Sequence, residues 1–244
     1  MTTITPSPTV DLEALRAKYR QERDKRLKPE GIDQYIETAG AFGYFADDPY
    51  IARTQRAPID RTVEAAIVGG GFGGILTAVR LKDAGFDDLL IIEKGGDFGG
   101  TWYWNRYPGL ACDMKSYVYL PLLEETGYMP PRNYASGAEI QAHTHRIADQ
   151  WRLRDKALFQ TQVLSARWDE GDNRWVLTTD RGDTVRARYL VTAHGPISKP
   201  KLPGIKGIPD YKGHTFHTSR WDYGYTGGGP EGGLTGLAGK RVAI

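Results

Sequence analysis

Three glycines and a glutamate stand at the spacings that a bound dinucleotide requires. Gly69, Gly71 and Gly74 satisfy G-x-G-x-x-G, and Glu93 follows Gly69 by 24 residues (93 − 69). In such a pattern the first glycine permits a tight turn and the second lets the backbone approach a pyrophosphate. The third lets a helix pack against a strand. A helix that starts there presents N–H groups and a partial positive charge to the pyrophosphate. Glu93 is placed to accept hydrogen bonds from ribose hydroxyls.

Such residues work only if flanking elements hold them. Ala65–Val68 reads as an apolar strand entering the turn. An amphipathic helix follows and Gly85 ends it; a second apolar strand, Leu89–Ile92, closes on Glu93. The run Ala66–Leu81 is interrupted by Arg80 and is too short to span a bilayer. The fold class expected is α/β: a Rossmann-type domain with a parallel sheet and a small antiparallel β-meander.

Upstream, residues 1–10 are rich in Thr and Pro and are expected to be disordered. Asp11 is predicted to cap a helix to about Leu27, with Leu12, Leu15 and Tyr19 on one face and a Glu22–Arg26 pair outside. Residues 28–60 carry Tyr35, Phe42, Tyr44, Phe45 and Tyr50 and read as an irregular extension that packs on the body. Downstream, Ser136-Gly137-Ala138-Glu139 is a capping-box pattern before a helix to about Trp151, with Ile140, Ile147 and Trp151 inward. Gln162–Trp168, Arg174–Thr179 and Thr184–Thr192 predict the meander. Residues 197–210 and 223–239 read as linkers, and Gly239–Ile244 begins a basic-then-apolar strand.

The balance of 32 basic and 30 acidic residues argues against a dedicated nucleic-acid surface. One cysteine, Cys112, rules out an internal disulfide framework and fits a reducing compartment. The N-terminus lacks a basic n-region and an apolar h-region, so a cytoplasmic location is expected. His143 and His145, two apart on a helix, point to different faces, so no metal site is expected there. Cys112 reads as structural.

Two further stretches carry a family resemblance. Gly99-Gly100-Thr101-Trp102-Tyr103-Trp104-Asn105-Arg106-Tyr107-Pro108-Gly109, with Cys112-Asp113, resembles the Baeyer–Villiger monooxygenases. So does the segment Tyr211–Asp222, against the family pattern Phe-x-Gly-x-x-x-His-x-x-x-Trp-Pro/Asp. Gly213, His217, Trp221 and Asp222 match it, and Tyr211 replaces the leading phenylalanine. The resemblance covers about residues 62–244. It implies an FAD- and NADPH-dependent flavoprotein with two dinucleotide-binding domains. NADPH reduces the flavin, O₂ reacts with it, and one oxygen is inserted beside a ketone carbonyl to give an ester or lactone.

Carried residue by residue, the resemblance implies that Gly69, Gly71, Gly74 and Glu93 hold the ADP part of FAD. Gly100, Thr101 and Trp102 would lie along the flavin, and Tyr119 would contact FAD. Asp113 would orient an active-site arginine, and His217 would couple domain movement to cofactor turnover. That arginine and the second glycine motif belong after residue 244 in the family. The layout expected is an extension (1–60), an FAD-binding domain (61–199), a connector with the family pattern (200–239) and the first strand of an NADP-binding domain (240–244). On this reading the chain is the front part of a longer protein, inactive alone, with no membrane or nucleic-acid partner. Two alternatives stay open. A flavin-containing N- or S-oxygenase has a similar pattern that ends in Tyr or Phe where this chain has Trp221-Asp222. A non-catalytic FAD-binding module is the reading if the open frame stops at Ile244.

Overall fold

The computed structural model describes residues 11–244, so the disorder expected of residues 1–10 lies outside the described residues. In chain order the elements are α1 (Leu12–Asp24), β1 (Tyr35–Glu37), β2 (Asp60–Val68), α2 (Phe72–Asp83) and β3 (Leu89–Ile92). The short helices α3 (Thr101–Trp104), α4 (Ser116–Tyr119) and α5 (Leu123–Thr126) precede α6 (Gly137–Gln150). Then come β4 (Ala157–Leu158), β5 (Val163–Asp169), β6 (Arg174–Thr179), β7 (Thr184–Thr192), β8 (Lys201–Pro203) and α7 (Tyr223–Thr226).

Two units divide these elements. The described part of the smaller holds residues 11–37 and 201–211. Asp11 caps α1 by accepting from the N–H groups of Glu13 and Ala14, both at 3.0 Å. The Glu22–Arg26 pair forms at 3.0 Å. Leu12, Leu15 and Tyr19 are exposed and no residue of α1 is buried, so the burial expected of this face is not found. In the same unit β1 pairs antiparallel with β8. Residues 201–203, read as linker, are strand because their ladder partner lies far away in sequence.

The larger unit, residues 38–200 and 212–244, carries a six-stranded sheet in the order β4-β3-β2-β7-β6-β5. The first four strands in that order are parallel, and β7, β6 and β5 pair antiparallel as the expected meander. All of β3 is buried, as a strand covered on both faces must be. Ile67, Leu89 and Ile91 pack with Ile75, Val79 and Ile147 of α2 and α6. Ala66, Leu90 and Ile92 pack instead with Leu177 and Val185. The strand expected from Ala65 begins at Asp60, because Asp60–Val63 lie in register with Thr184–Ala187. Ser136 caps α6 by accepting from Glu139 N–H at 3.2 Å, and Ile140 and Ile147 are fully buried. Residues 240–244 carry no strand.

Candidate dinucleotide site

At the end of β2 the chain turns sharply at Gly69, whose N–H donates to the Ile92 carbonyl at 2.9 Å. Gly69 has φ +111°, and a Cβ there would lie 2.6 Å from the Ala193 carbonyl oxygen. A Cβ on Gly74 would overlap the Gly69 carbonyl oxygen, so the helix can approach the strand only with glycine here. Gly71 differs. Its φ is −81°, and the nearest atom to an added Cβ is Gly100 Cα at 3.4 Å. No protein atom forbids a methyl group at Gly71; the space it would enter belongs to the cavity. Gly71 is also the N-cap of α2 and offers no side-chain acceptor, so the first-turn N–H groups remain available to an anion.

Glu93 closes β3 and is 5% exposed. Its Oε2 accepts from Gly70 N–H at 2.5 Å and its Oε1 from Gly95 N–H at 2.6 Å. Burial pushes its carboxyl above the usual range, against the opposing effect of the two N–H donors. The following loop returns to the turn: Gly99 N–H donates to the Gly70 carbonyl at 3.0 Å. Helix α3 then places Trp102, whose indole N–H donates to the Tyr119 hydroxyl at 2.9 Å. Burial raises the Tyr119 hydroxyl pKa, while the indole donor opposes this. Phe72, the first residue of α2, tilts against the Tyr119 ring at 5.7 Å.

These parts enclose a cavity of about 630 Å³. Gly69, Gly71, Glu93, Gly100, Thr101, Trp102 and Tyr119 all line it. Gly74 lies under the turn and does not. Asp113 and His217 are not among its lining residues either. Asp113 is exposed, near enough for its charge to act on Tyr119. His217 is half-buried and starts a 3₁₀ turn, Thr218–Arg220; its Nδ1 accepts from Ser219 N–H at 3.1 Å. Beyond it, Asp222 caps α7 through Tyr225 N–H at 3.0 Å, and Trp221 donates to Thr226 Oγ1 at 3.1 Å. A second cavity of about 550 Å³ shares Trp102 with the first.

Several contributors carried no spacing signal. Lys94, Trp104, His194, Ser198 and Lys199 also line the first cavity. Arg220 is 7% exposed and donates to the carbonyls of Ser198 at 2.9 Å and Trp104 at 3.4 Å. Its guanidinium stacks 4.4 Å from the Trp104 ring centroid. Burial lowers its pKa, and burial together with the Arg220 charge lowers that of Lys94. The pattern around His217 pointed to the histidine, whereas the deeply buried side chain three residues on reaches the carbonyl of Trp104 at the end of α3. Among the described residues no cluster of His, Cys, Asp and Glu is placed to hold a metal.

A parallel β-α-β unit whose first strand ends in a glycine turn, an acidic terminus on its second strand and a cavity beside them define a dinucleotide-binding α/β protein. The family model described as pyridine nucleotide-disulphide oxidoreductase matches residues 66–226, and the chain belongs to that family. Its sequence is 53% identical over 234 residues to a Baeyer-Villiger monooxygenase of Streptomyces coelicolor, covering 96% of this chain and 39% of that protein. The polycyclic ketone monooxygenase of Thermothelomyces thermophila superposes with a TM-score of 0.86 at 42% identity, covering 94% of this chain and 40% of that one. OTEMO in complex with FAD and NADP superposes at 0.62 with 39% identity, over 70% of this chain and 32% of that one. The chain thus spans about two fifths of the length of the curated relatives it matches. The expected Rossmann-type fold, of the class with two dinucleotide-binding domains, is the fold of these neighbours.

Proposed function

We propose that the cavity holds FAD and that the chain serves an NADPH-dependent Baeyer–Villiger monooxygenase. The observation that carries this reading is the convergence of the open helix terminus at Gly71, buried Glu93 and the Trp102–Tyr119 pair on one cavity of about 630 Å³. The fit of FAD rests on Gly71, where only the cavity has a use for the missing Cβ. Relatives named for ketone oxygenation, and one solved with FAD and NADP, support the same reading.

Gly69, Gly71 and the first turn of α2 would hold the pyrophosphate, and Glu93 the adenosine ribose. Gly100, Thr101, Trp102 and Tyr119 would line the flavin end. Bound FAD would supply the redox chemistry that activates O₂ for insertion beside a ketone carbonyl. Asp113, exposed here, would orient an arginine outside this chain, and His217 would couple movement of the connector to turnover. Residues 61–199 would form the FAD domain, 200–239 the connector and 240–244 the entry to an NADP domain. A ketone and O₂ are the proposed partners. The cytoplasm is the proposed location; no helix among the described residues is long and apolar enough to cross a membrane.

The test is the purified intact protein. It should copurify with noncovalent FAD, oxidise NADPH in the presence of one or more members of a ketone panel, and release an ester or lactone. Sulfoxide or N-oxide as the only product would instead select the N- or S-oxygenase. Flavin uptake without any oxygenation would leave a binding module.

A further inference from the structure

Ahead of β2 the chain runs along the outside of the loop between Glu93 and Trp104, and Asp48 sits at the contact. Its Oδ2 accepts from Gly96 N–H at 2.8 Å and from the Tyr103 hydroxyl at 2.5 Å. Its Oδ1 accepts from Tyr50 N–H at 2.9 Å, which folds the strap back so that the Tyr50 hydroxyl reaches the Trp104 carbonyl at 3.0 Å. One carboxylate therefore joins both ends of a loop whose first residue is Glu93 and whose last turn is α3. The loop's own Asp97 is turned elsewhere, accepting from Phe98 N–H at 2.7 Å and from Arg154 at 2.7 Å. The Glu93 carboxylate faces Gly70 and Gly95 instead, and a Cβ at Gly96 would strike Ile51 and Tyr103, so the fit is close. Burial and the adjacent Asp48 carboxylate both raise the Tyr103 hydroxyl pKa.

We propose that Asp48 is a positioning residue for the dinucleotide, setting the Glu93–Trp104 loop from outside the cavity through Gly96 and Tyr103. Asp48 lines neither cavity, so it acts on binding without touching the ligand itself. The inference rests on the FAD reading above. Charge-assisted hydrogen bonds to one carboxylate are the stronger kind, and the binding groups they hold are displaced together when the carboxylate is lost.

The experiment titrates the intact apoprotein with FAD and follows quenching of flavin fluorescence. Asp48→Ala should weaken FAD binding at least ~10-fold, about 1.4 kcal/mol. Tyr103→Phe, which loses one hydroxyl, should weaken it ~3-fold. The double variant should bind no worse than Asp48→Ala, because both substitutions break one path. Arg53→Ala removes an exposed ion pair of the same strap, to Asp180 at 2.8 Å, and should bind FAD like wild type. A general loosening of the strap would make Arg53→Ala as damaging as Asp48→Ala and would overturn the proposal. So would wild-type affinity in Asp48→Ala. If Asp48→Ala does not fold, Tyr103→Phe decides, and an unchanged Kd there overturns the proposal. Wild-type apoprotein that takes up no FAD would refute the cofactor reading itself, a result separable from the others.

Discussion

The turn Gly69–Gly74 and the strap Asp48–Arg56 are built from different materials. At its two tightest points the turn is held by backbone contact: Gly69 lies against the Ala193 carbonyl, and Gly74 against the Gly69 carbonyl. The strap keeps its shape by charge. Asp48 gathers Gly96, Tyr50 and Tyr103, and Arg56 makes a two-point pair with buried Asp183 at 2.6 and 2.5 Å. Asp183 also accepts from Thr179 Oγ1 at 2.7 Å and from Ile59 N–H at 3.0 Å. Packing of this kind has no proton to gain or lose and no tolerance for volume. The Arg56–Asp183 pair answers instead to pH.

The largest effect is expected at the turn. Gly74→Val would place a branched side chain on the Gly69 carbonyl and should cost roughly 3 kcal/mol or more, read as a denaturant midpoint or as failure to express folded protein. A stable Gly74→Val protein would end the claim that close approach makes the turn.

Asp183→Asn comes next. The Arg56 guanidinium, the Thr179 hydroxyl and the Ile59 N–H hold the Asp183 carboxyl well below the usual carboxylate range against its burial. A depressed folded-state pKa gives stability that is present above the unfolded-state value, near ~4, and lost as pH falls through the folded value. Wild type should therefore lose Tm on acidification below about pH 4. Asp183→Asn should start about 2–3 kcal/mol less stable at neutral pH, because Arg56 keeps a charge without its counter-ion. Its acid slope should be flatter. Parallel pH profiles would show that the strap is not held by this pair.

Gly71→Ala separates fold from ligand within the turn itself. The 3.4 Å clearance predicts a melting temperature within a few degrees of wild type. FAD affinity should fall at least ~10-fold, about 1.4 kcal/mol, in a fluorescence titration. Equal loss of stability and affinity would put Gly71 in the same class as Gly74. The smallest effect is expected at His217→Ala, which removes the acceptor for Ser219 N–H at the start of its 3₁₀ turn. A lost cap costs about 1 kcal/mol. His217→Asn should restore most of the stability, and calorimetry of the two variants checks it.

The turn and its elements were legible because backbone geometry leaves few choices of residue. Gly69, Gly74 and Glu93 could be placed from spacing alone, and β3 from an unbroken apolar run. The meander was legible from its period and from turns at Asn173 and Gly182. The charges of the strap were not: Asp48 and Arg56 act on residues 48 to 127 positions away, and charged side chains in a loop read as solvated. Arg220 was hidden for the same reason, since its partners are carbonyls that carry no sequence identity. The face of α1 misled in the other direction. Its leucine spacing predicts burial, yet spacing names only the face, and a neighbour must cover it.

Cys112 has one more consequence. It is the sole cysteine, is 7% exposed, and packs with Trp102, Leu120, Ala135 and Ile140 behind the cavity wall. A thiol reagent can react with it only when that cluster parts. These 244 residues thus carry one chemical clock at this wall. With closing faster than labelling, its rate reports the free energy of local opening. A dinucleotide that binds only the closed wall should slow the clock by the factor 1 + [L]/Kd, so the cavity's occupancy can be read from sulfur without adding a label to the chain.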